Sequence, residues 1–328
     1  MRLSIVLPCF NEAPVLSHTL TTIQALLLEL RASSQVVSTE IILVDDGSTD
    51  QTWAMIESFS REDQTVHGIK LSRNFGHQSA LLAGLFHATG DAVISLDADL
   101  QDDPAVIAPM IDAYKKNADV VFGVREDRTS DSFFKRQSAV SYYKFMHFIG
   151  VNLVENHADF RLMSRRAISF LGEYRETNLF LRGLIPMLGL RSAKVGYRRS
   201  ARAAGVSKYP TLKMISFAWQ GITNLSVVPL RLITLAGLGL ALGSLAITVW
   251  ALWIGIFTEK AVPGWTSTVA PLYFLGGVQL LAIGIVGEYV AKIYMEAKRR
   301  PNYLVESVTA GLEVTREPSA SPLSDQPR

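Results

Sequence analysis

The chain has 328 residues, 48% of them hydrophobic, and a formal net charge of +2. That length exceeds one ordinary domain, and a balance so near neutral provides no global field for nucleic acid. The single cysteine, Cys9, excludes a disulfide framework and a cysteine-based zinc centre, and fits a reducing compartment.

Leu3 to Leu7 reads as a first strand, stopped by Pro8 and too short for the core of a signal peptide. Leu16, Leu20, Ile23, Leu27 and Leu30 then recur at helical spacing. Glu40 to Val44 is a second strand that ends in Asp45-Asp46-Gly47-Ser48, where Asp46 or Ser48 suits the cap of the helix over about 50–60. Strand Val66 to Leu71 and helix Gln78 to His87 come next, with Arg73 between them, whose plain reading is a surface ion pair. Asp91 to Leu96 is a buried strand, Pro104 to Lys116 a helix, and Asp119 to Gly123 a fifth strand. Strands alternating with helices in this way predict an α/β fold with a doubly wound, mostly parallel sheet. The turn after strand one, Pro8 to Glu12, holds no glycine, so the dinucleotide fingerprint is absent and a nicotinamide or flavin cofactor is not expected.

Asp97, Asp99, Asp102 and Asp103 crowd the carboxyl end of the fourth strand, where open α/β sheets bind their ligands. Such carboxylates repel one another unless a cation sits among them. Asp97 and Asp99, with Gln101 as a neutral oxygen, form a hard donor set suited to Mg²⁺ or Mn²⁺ held together with substrate phosphates. The later pair suits the cap of the helix that Pro104 begins, so one segment can both cap and bind.

The second half changes character. Phe133 to Ile149 mixes Lys135, Arg136 and Lys144 with aromatic residues, as an ordinary packed helix or a lipid-facing one. Leu212, Ile215, Trp219, Ile222 and Leu225 suggest an interfacial helix ending near Pro229. No residue from Leu232 to Phe257 is charged, a run about 39 Å long as a helix, and none is charged from Ala261 to Gly287. Two membrane spans are therefore expected. Arg231 before them, and Lys292, Lys298, Arg299 and Arg300 after them, place both outer ends and the soluble half in the cytoplasm. The expected organisation is a catalytic domain over 1–210, an interfacial helix over 211–231, the hairpin over 232–290 and a cytoplasmic tail over 291–328 with a disordered end.

Pro8 to Glu12, Val44 to Asp50, Leu71 to Gly76, Asp97 to Gln101, Asp159 to Leu162 and Gly205 to Pro210 occur in that order. Together with the paired apolar runs they resemble the GT-A glycosyltransferases of family 2, in the polyprenyl-phosphate branch of bactoprenol glucosyltransferases and dolichol-phosphate mannose synthases. The likeness spans roughly Met1 to Arg300. It implies an inverting, metal-dependent hexosyltransferase of the inner membrane that moves a sugar, with glucose favoured, from a UDP-sugar to undecaprenyl phosphate for cell-envelope glycan modification. It assigns the metal to Asp97, Asp99 and Gln101, and the nucleotide sugar to Pro8, Glu12, Asp45, Asp46, Arg73, Asp97, Arg202 and Lys208. Arg125, Arg128, Lys135 and Arg136 are assigned to the acceptor phosphate, with Asp97, Asp99 and Arg125 as the catalytic set. An ionised phosphate needs no general base, so none of the six histidines is nominated and Asp159 is expected to pair with Arg161 or to position the acceptor loop. The resemblance further implies self-association, for which the extended piece Tyr303 to Val308 offers an edge. Other donors (N-acetylhexosamine, mannose or aminoarabinose type) and a non-catalytic carrier-binding or flippase subunit remain alternatives. A processive polysaccharide synthase does not fit, because the Gln-x-x-Arg-Trp motif is absent.

Overall fold

The computed structural model describes residues 1–125, 157–174, 176, 180–197, 228–257 and 265–312. They fall into two units, one carrying the sheet and the C-terminal segment, the other the two long helices.

The first unit is built on an eight-stranded sheet. Its strands are β1 (Arg2–Cys9), β2 (Ser38–Asp45), β3 (Val66–Leu71), β4 (Ala92–Ser95), β5 (Val120–Arg125), β6 (His157–Ser164), β7 (Ser192–Tyr197) and β8 (Val305–Val308). Their order is β7-β5-β6-β4-β1-β2-β3-β8. β4, β1, β2 and β3 run parallel, joined by α1 (Ala13–Ala32), α2 (Thr52–Glu62) and α3 (His77–His87). After them come α4 (Ile107–Lys115), α5 (Arg165–Glu173) and α6 (Leu181–Met187).

Period-two alternation sorts the strand residues onto two faces. Leu3, Ile5, Leu7, Ile41 and Leu43 meet the buried stripe of α1, which includes Leu16, Leu20, Ile23, Leu27 and Leu30, and residues of α2 and α4. Val6, Ile42 and Val44 meet α3, α5 and α6 on the other side. Both faces are covered, which is why the parallel strands read as continuous apolar runs.

The simple parallel series stops at β4. β6 lies between β4 and β5 and is antiparallel to both, while β7 pairs parallel to β5. The far edge also differs from expectation. The extended piece after Arg300 pairs antiparallel with β3 of the same chain, so in this structure it covers its own sheet edge. Ser72 N–H donates to Leu304 O at 2.9 Å, Lys70 pairs with Glu306 at 3.0 Å, and Tyr303 is buried in the core.

The second unit contains α7 (Val228–Phe257) and α8 (Trp265–Ala297). Both helices extend beyond the uncharged runs that suggested them, taking in Arg231 at one end and Glu288 and Lys292 at the other. Among the described residues one stretch, Val278–Ala297, is long and apolar enough to cross a membrane, with a mean hydropathy of 1.4. The expected interfacial helix over 211–227, the segment over 133–149 and the end of the tail lie outside the described residues.

Candidate active site

The carboxyl ends of β1, β2 and β4 converge on three loops that side chains tie together. In the first, Asn11 takes a left-handed backbone with φ of 57°; its N–H donates to Ser48 Oγ at 2.9 Å and its Oδ1 accepts from Thr49 N–H at 2.9 Å. Asp50 accepts from Thr52 N–H and from Ala13 N–H, and Glu12 N–H donates to Thr52 Oγ1 at 3.0 Å. Gly47 has φ of +70°, and a Cβ there would stand 2.5 Å from the Arg73 backbone, so the turn after β2 can lie against the loop after β3 only as glycine.

These loops also decide between the capping candidates. Asp46 does not cap α2: 3% exposed, it accepts from Phe75 N–H at 2.7 Å and Gly76 N–H at 2.9 Å, and so holds the loop after β3. Of the two candidates for the cap at Pro104, Asp103 takes the place, accepting from Ala105 N–H at 2.9 Å.

Asp45 sits at the end of β2 beside Cys9, its register partner on β1. Its Oδ1 accepts from Ser48 N–H at 3.2 Å, and its Oδ2 is buried with no hydrogen-bond partner. Burial pushes the carboxyl above the usual range, partly offset by Ser48. Glu12, at the head of α1, is also shifted upward, by burial and then by Asp99, Asp97 and Asp50. Arg73 is exposed; its guanidinium lies 3.9 Å from the Phe75 ring centroid and donates to Asn74 O, with no ion pair to it among the described residues.

The fourth strand delivers the acid pair. Thr19 Oγ1 on α1 donates to Ala98 O at 2.6 Å, and Leu100 takes a left-handed backbone with φ of 47°, so the loop curls back on itself. Gln101 is buried, and its N–H donates to Asp99 Oδ1 at 3.1 Å. Asp97 is partly exposed, but its Oδ1 is turned inward and has no hydrogen-bond donor. Burial raises the Asp97 carboxyl; His77 opposes this, while Asp159, Asp102 and Asp99 add to it. An orphaned buried carboxylate oxygen beside a second carboxylate fits a cation. Among the described residues no three His, Cys, Asp or Glu gather to hold one alone. The donor set therefore suits an ion that completes its shell from substrate phosphates.

The Asp159–Arg161 pair is as expected, whereas Arg182 and Tyr197 escaped the sequence reading and His77 was not nominated. His77, the first residue of α3, has Nε2 3.5 Å from Asp97 Oδ1 and 3.6 Å from Asp159 Oδ2. Asp159 on β6 also pairs with the fully buried Arg161 and, at 2.9 Å, with Arg182 on α6. Burial alone would raise the Asp159 carboxyl, yet the two guanidiniums outweigh it and hold it well below the usual carboxylate range. Arg125, the last residue of β5, donates to Asp102 Oδ1 at 3.1 Å and to Tyr197 Oη at 3.1 Å, and Tyr197 donates to Asp102 Oδ1 at 2.6 Å. Burial works against the Arg125 cation, and Asp102 and Tyr197 more than restore it. Arg128, Lys135, Arg136, Arg202 and Lys208 lie outside the described residues. A cavity of about 200 Å³ lined by Arg2, Thr39, Glu40, His67 and Thr89 opens at the opposite, amino end of the strands and belongs to no part of this site.

Acidic side chains gathered at the carboxyl ends of parallel strands stand where an open α/β sheet binds its ligands. The chain belongs to glycosyl transferase family 2, whose model matches residues 4–172. It is 47% identical over 313 residues to the uncharacterized glycosyltransferase YkoT of Bacillus subtilis (strain 168), covering 93% of this chain and 91% of that one. It is 39% identical over 311 residues to the bactoprenol glucosyl transferase of Shigella phage SfX, covering 94% of this chain and 99% of that one. A prophage bactoprenol glucosyl transferase homolog of Escherichia coli (strain K12) is 38% identical over 309 residues, with 94% and 99% covered. The protein is thus a glycosyltransferase, similar over nearly its whole length to bactoprenol glucosyl transferases.

Proposed function

We propose that this glycosyltransferase moves glucose from UDP-glucose to a polyprenyl phosphate, undecaprenyl phosphate, with inversion at the anomeric carbon. The observation that carries the reading is the inward Asp97 Oδ1, buried and without a donor beside Asp99 at the strand ends. The names of the phage and prophage relatives, matched over 94% of this chain, support the lipid carrier and the sugar.

Pro8, Glu12 and Asp45 line the nucleoside end, and Asp97, Asp99 and Gln101 would hold Mg²⁺ or Mn²⁺. When bound, that ion neutralises charge growing on the diphosphate leaving group. Arg73, Arg202 and Lys208 serve the donor phosphates; Arg128, Lys135 and Arg136, rooted at Arg125, serve the acceptor phosphate. A phosphate monoester has a second pKa of about 6, so its oxygen is largely ionised at neutral pH and attacks without a base. The new bond joins this oxygen to the anomeric carbon. The bond from that carbon to the diphosphate breaks, and UDP leaves with the electron pair. Asp159 suits this scheme as a carboxylate too weakly basic to take a proton, because Arg161 and Arg182 hold it ionised. In this reading α7 and α8 cross the inner membrane as a hairpin with the catalytic unit in the cytoplasm, consistent with basic residues at both outer ends.

The test is transfer by the purified full chain in detergent, given undecaprenyl phosphate, Mn²⁺ or Mg²⁺ and a panel of labelled UDP-sugars. Labelled lipid is expected from UDP-glucose, and is expected to vanish in chelator and in Asp97→Ala. No labelled lipid from any donor overturns the carrier; label from a different sugar alone overturns glucose.

A further inference from the structure

We infer that Asp102 and Tyr197 are positioning residues which, through Arg125, lock the carboxylate loop to the points where two basic chain segments leave the sheet. The inference rests on the sugar-transfer reading above.

The three groups close a triangle. Asp102, 1% exposed, accepts from Tyr197 Oη at 2.6 Å and from Arg125 Nη2 at 3.1 and 3.4 Å, while Arg125 Nε donates to Tyr197 Oη at 3.1 Å. A carboxylate sunk this deep is tolerable only because a cation and a hydroxyl meet it there. Each corner belongs to a different piece of chain. Asp102 ends the loop that carries Asp97, Asp99 and Gln101. Arg125 ends β5 and Tyr197 ends β7, and the two are direct register partners. Tyr197 also packs edge-on against Phe160, with centroids 5.7 Å apart, next to Asp159 on β6.

Two of the corners lead into basic stretches of sequence. Beyond Arg125 the chain bears Arg128, Lys135 and Arg136, and beyond Tyr197 it bears Arg202 and Lys208. The cations assigned to acceptor and donor therefore depart from two adjacent strand ends pinned to the acid loop. Helix capping does not account for Asp102, since Asp103 takes that place. Arg125, with Nε and Nη2 committed inward, acts through Asp102 rather than as a mobile cation.

Tyr197→Phe keeps the ring on Phe160 and removes only the hydroxyl. We expect its KM for polyprenyl phosphate to rise about tenfold, as for loss of a hydrogen bond to a charged group, with KM for UDP-glucose within about twofold of the original. Asp102→Asn, which abolishes the ion pair, is expected to weaken Mn²⁺-dependent UDP binding about tenfold by calorimetry. Unchanged KM and kcat in Tyr197→Phe, or a fall in kcat that merely tracks a lower melting temperature, overturns the inference. If the unaltered chain makes no labelled lipid, the sugar-transfer reading fails by itself. The clamp is then decided by calorimetry, and equal UDP affinity in Asp102→Asn and the original chain overturns it.

Discussion

Asp97 and Asp159 flank the same imidazole, that of His77, yet the protein sends their carboxyls in opposite directions. Burial raises Asp97, and the positive charge near it, from His77 and Arg161, offsets this only in part. Asp159 is buried too, but Arg161 and Arg182 overcome the cost and hold it ionised. Asp97 is therefore the carboxylate still short of positive charge, and Asp159 the one already satisfied. Asp159→Ala leaves Arg161 buried without its partner and is expected to destabilise the fold by about 3–5 kcal/mol in denaturant titration. A full-strength fold with transfer abolished would instead make Asp159 a participant in the chemistry. A cleaner pH effect belongs to His87, buried at the end of α3. Its Nδ1 faces Ala83 O at 2.7 Å, so Nδ1 carries the proton, and Nε2 is buried with no partner. Burial lowers its pKa from the ordinary 6.5, with the Ala83 bond opposing. The folded state then binds fewer protons than the unfolded one, so this contribution is complete above 6.5 and is lost as pH falls through the window below it. Each unit of depression is worth about 1.4 kcal/mol. Melting temperature should drop on acidification through that window, and His87→Leu should flatten the drop; an equal slope in the variant refutes the assignment.

At the scale of elements, what the sequence disclosed depends on which signals are local. β1 to β4 and their helices are legible because each strand is a continuous apolar run and α1 repeats at helical spacing. β6 was hidden because Asp159 and Arg161 interrupt its apolar pattern, although they satisfy each other inside the sheet. β7 was hidden as a short edge strand alternating exposed and half-buried residues. The site divides the same way. Asp97 and Asp99 declare themselves by crowding at one strand end, whereas Asp102 and Tyr197 meet across 95 residues of sequence. The C-terminal strand was legible as an extended piece but not its destination, since a free edge can pair with any other edge. That destination has a consequence. Tyr303 fills the core, and Leu304 O receives the N–H of Ser72, where the loop leading to His77 begins. Ending the chain at Asn302 is expected to lower the melting temperature, expose β3 to aggregation and weaken UDP binding. Unaltered melting and unaltered affinity would mean that β8 covers an edge the sheet does not need covered.

For the whole molecule, charge and hydropathy separate two tasks. A net charge of +2 gives little long-range pull toward an anionic surface, so apolar length is expected to dominate attachment to a bilayer. Val278–Ala297 supplies that length, and Ile283 and Val286 within it are 67% and 46% exposed. A soluble fold rarely leaves such residues unburied along a helix this long, whereas hydrocarbon accepts them. Lysine at the centre of a span costs about 2.5–3.5 kcal/mol on insertion scales, so Ile283→Lys with Val286→Lys should weaken an anchor held this way. The unaltered chain is expected in the membrane pellet after both high salt and alkaline carbonate, because neither weakens apolar burial in lipid. With α7 still able to span, the double variant is expected to be extracted more readily by alkaline carbonate than the unaltered chain, while the first unit, whose core contains neither residue, keeps its affinity for UDP. Release of the unaltered chain by salt alone would mean that ionic contacts hold it, and Val278–Ala297 would then have to be packed against protein rather than lipid.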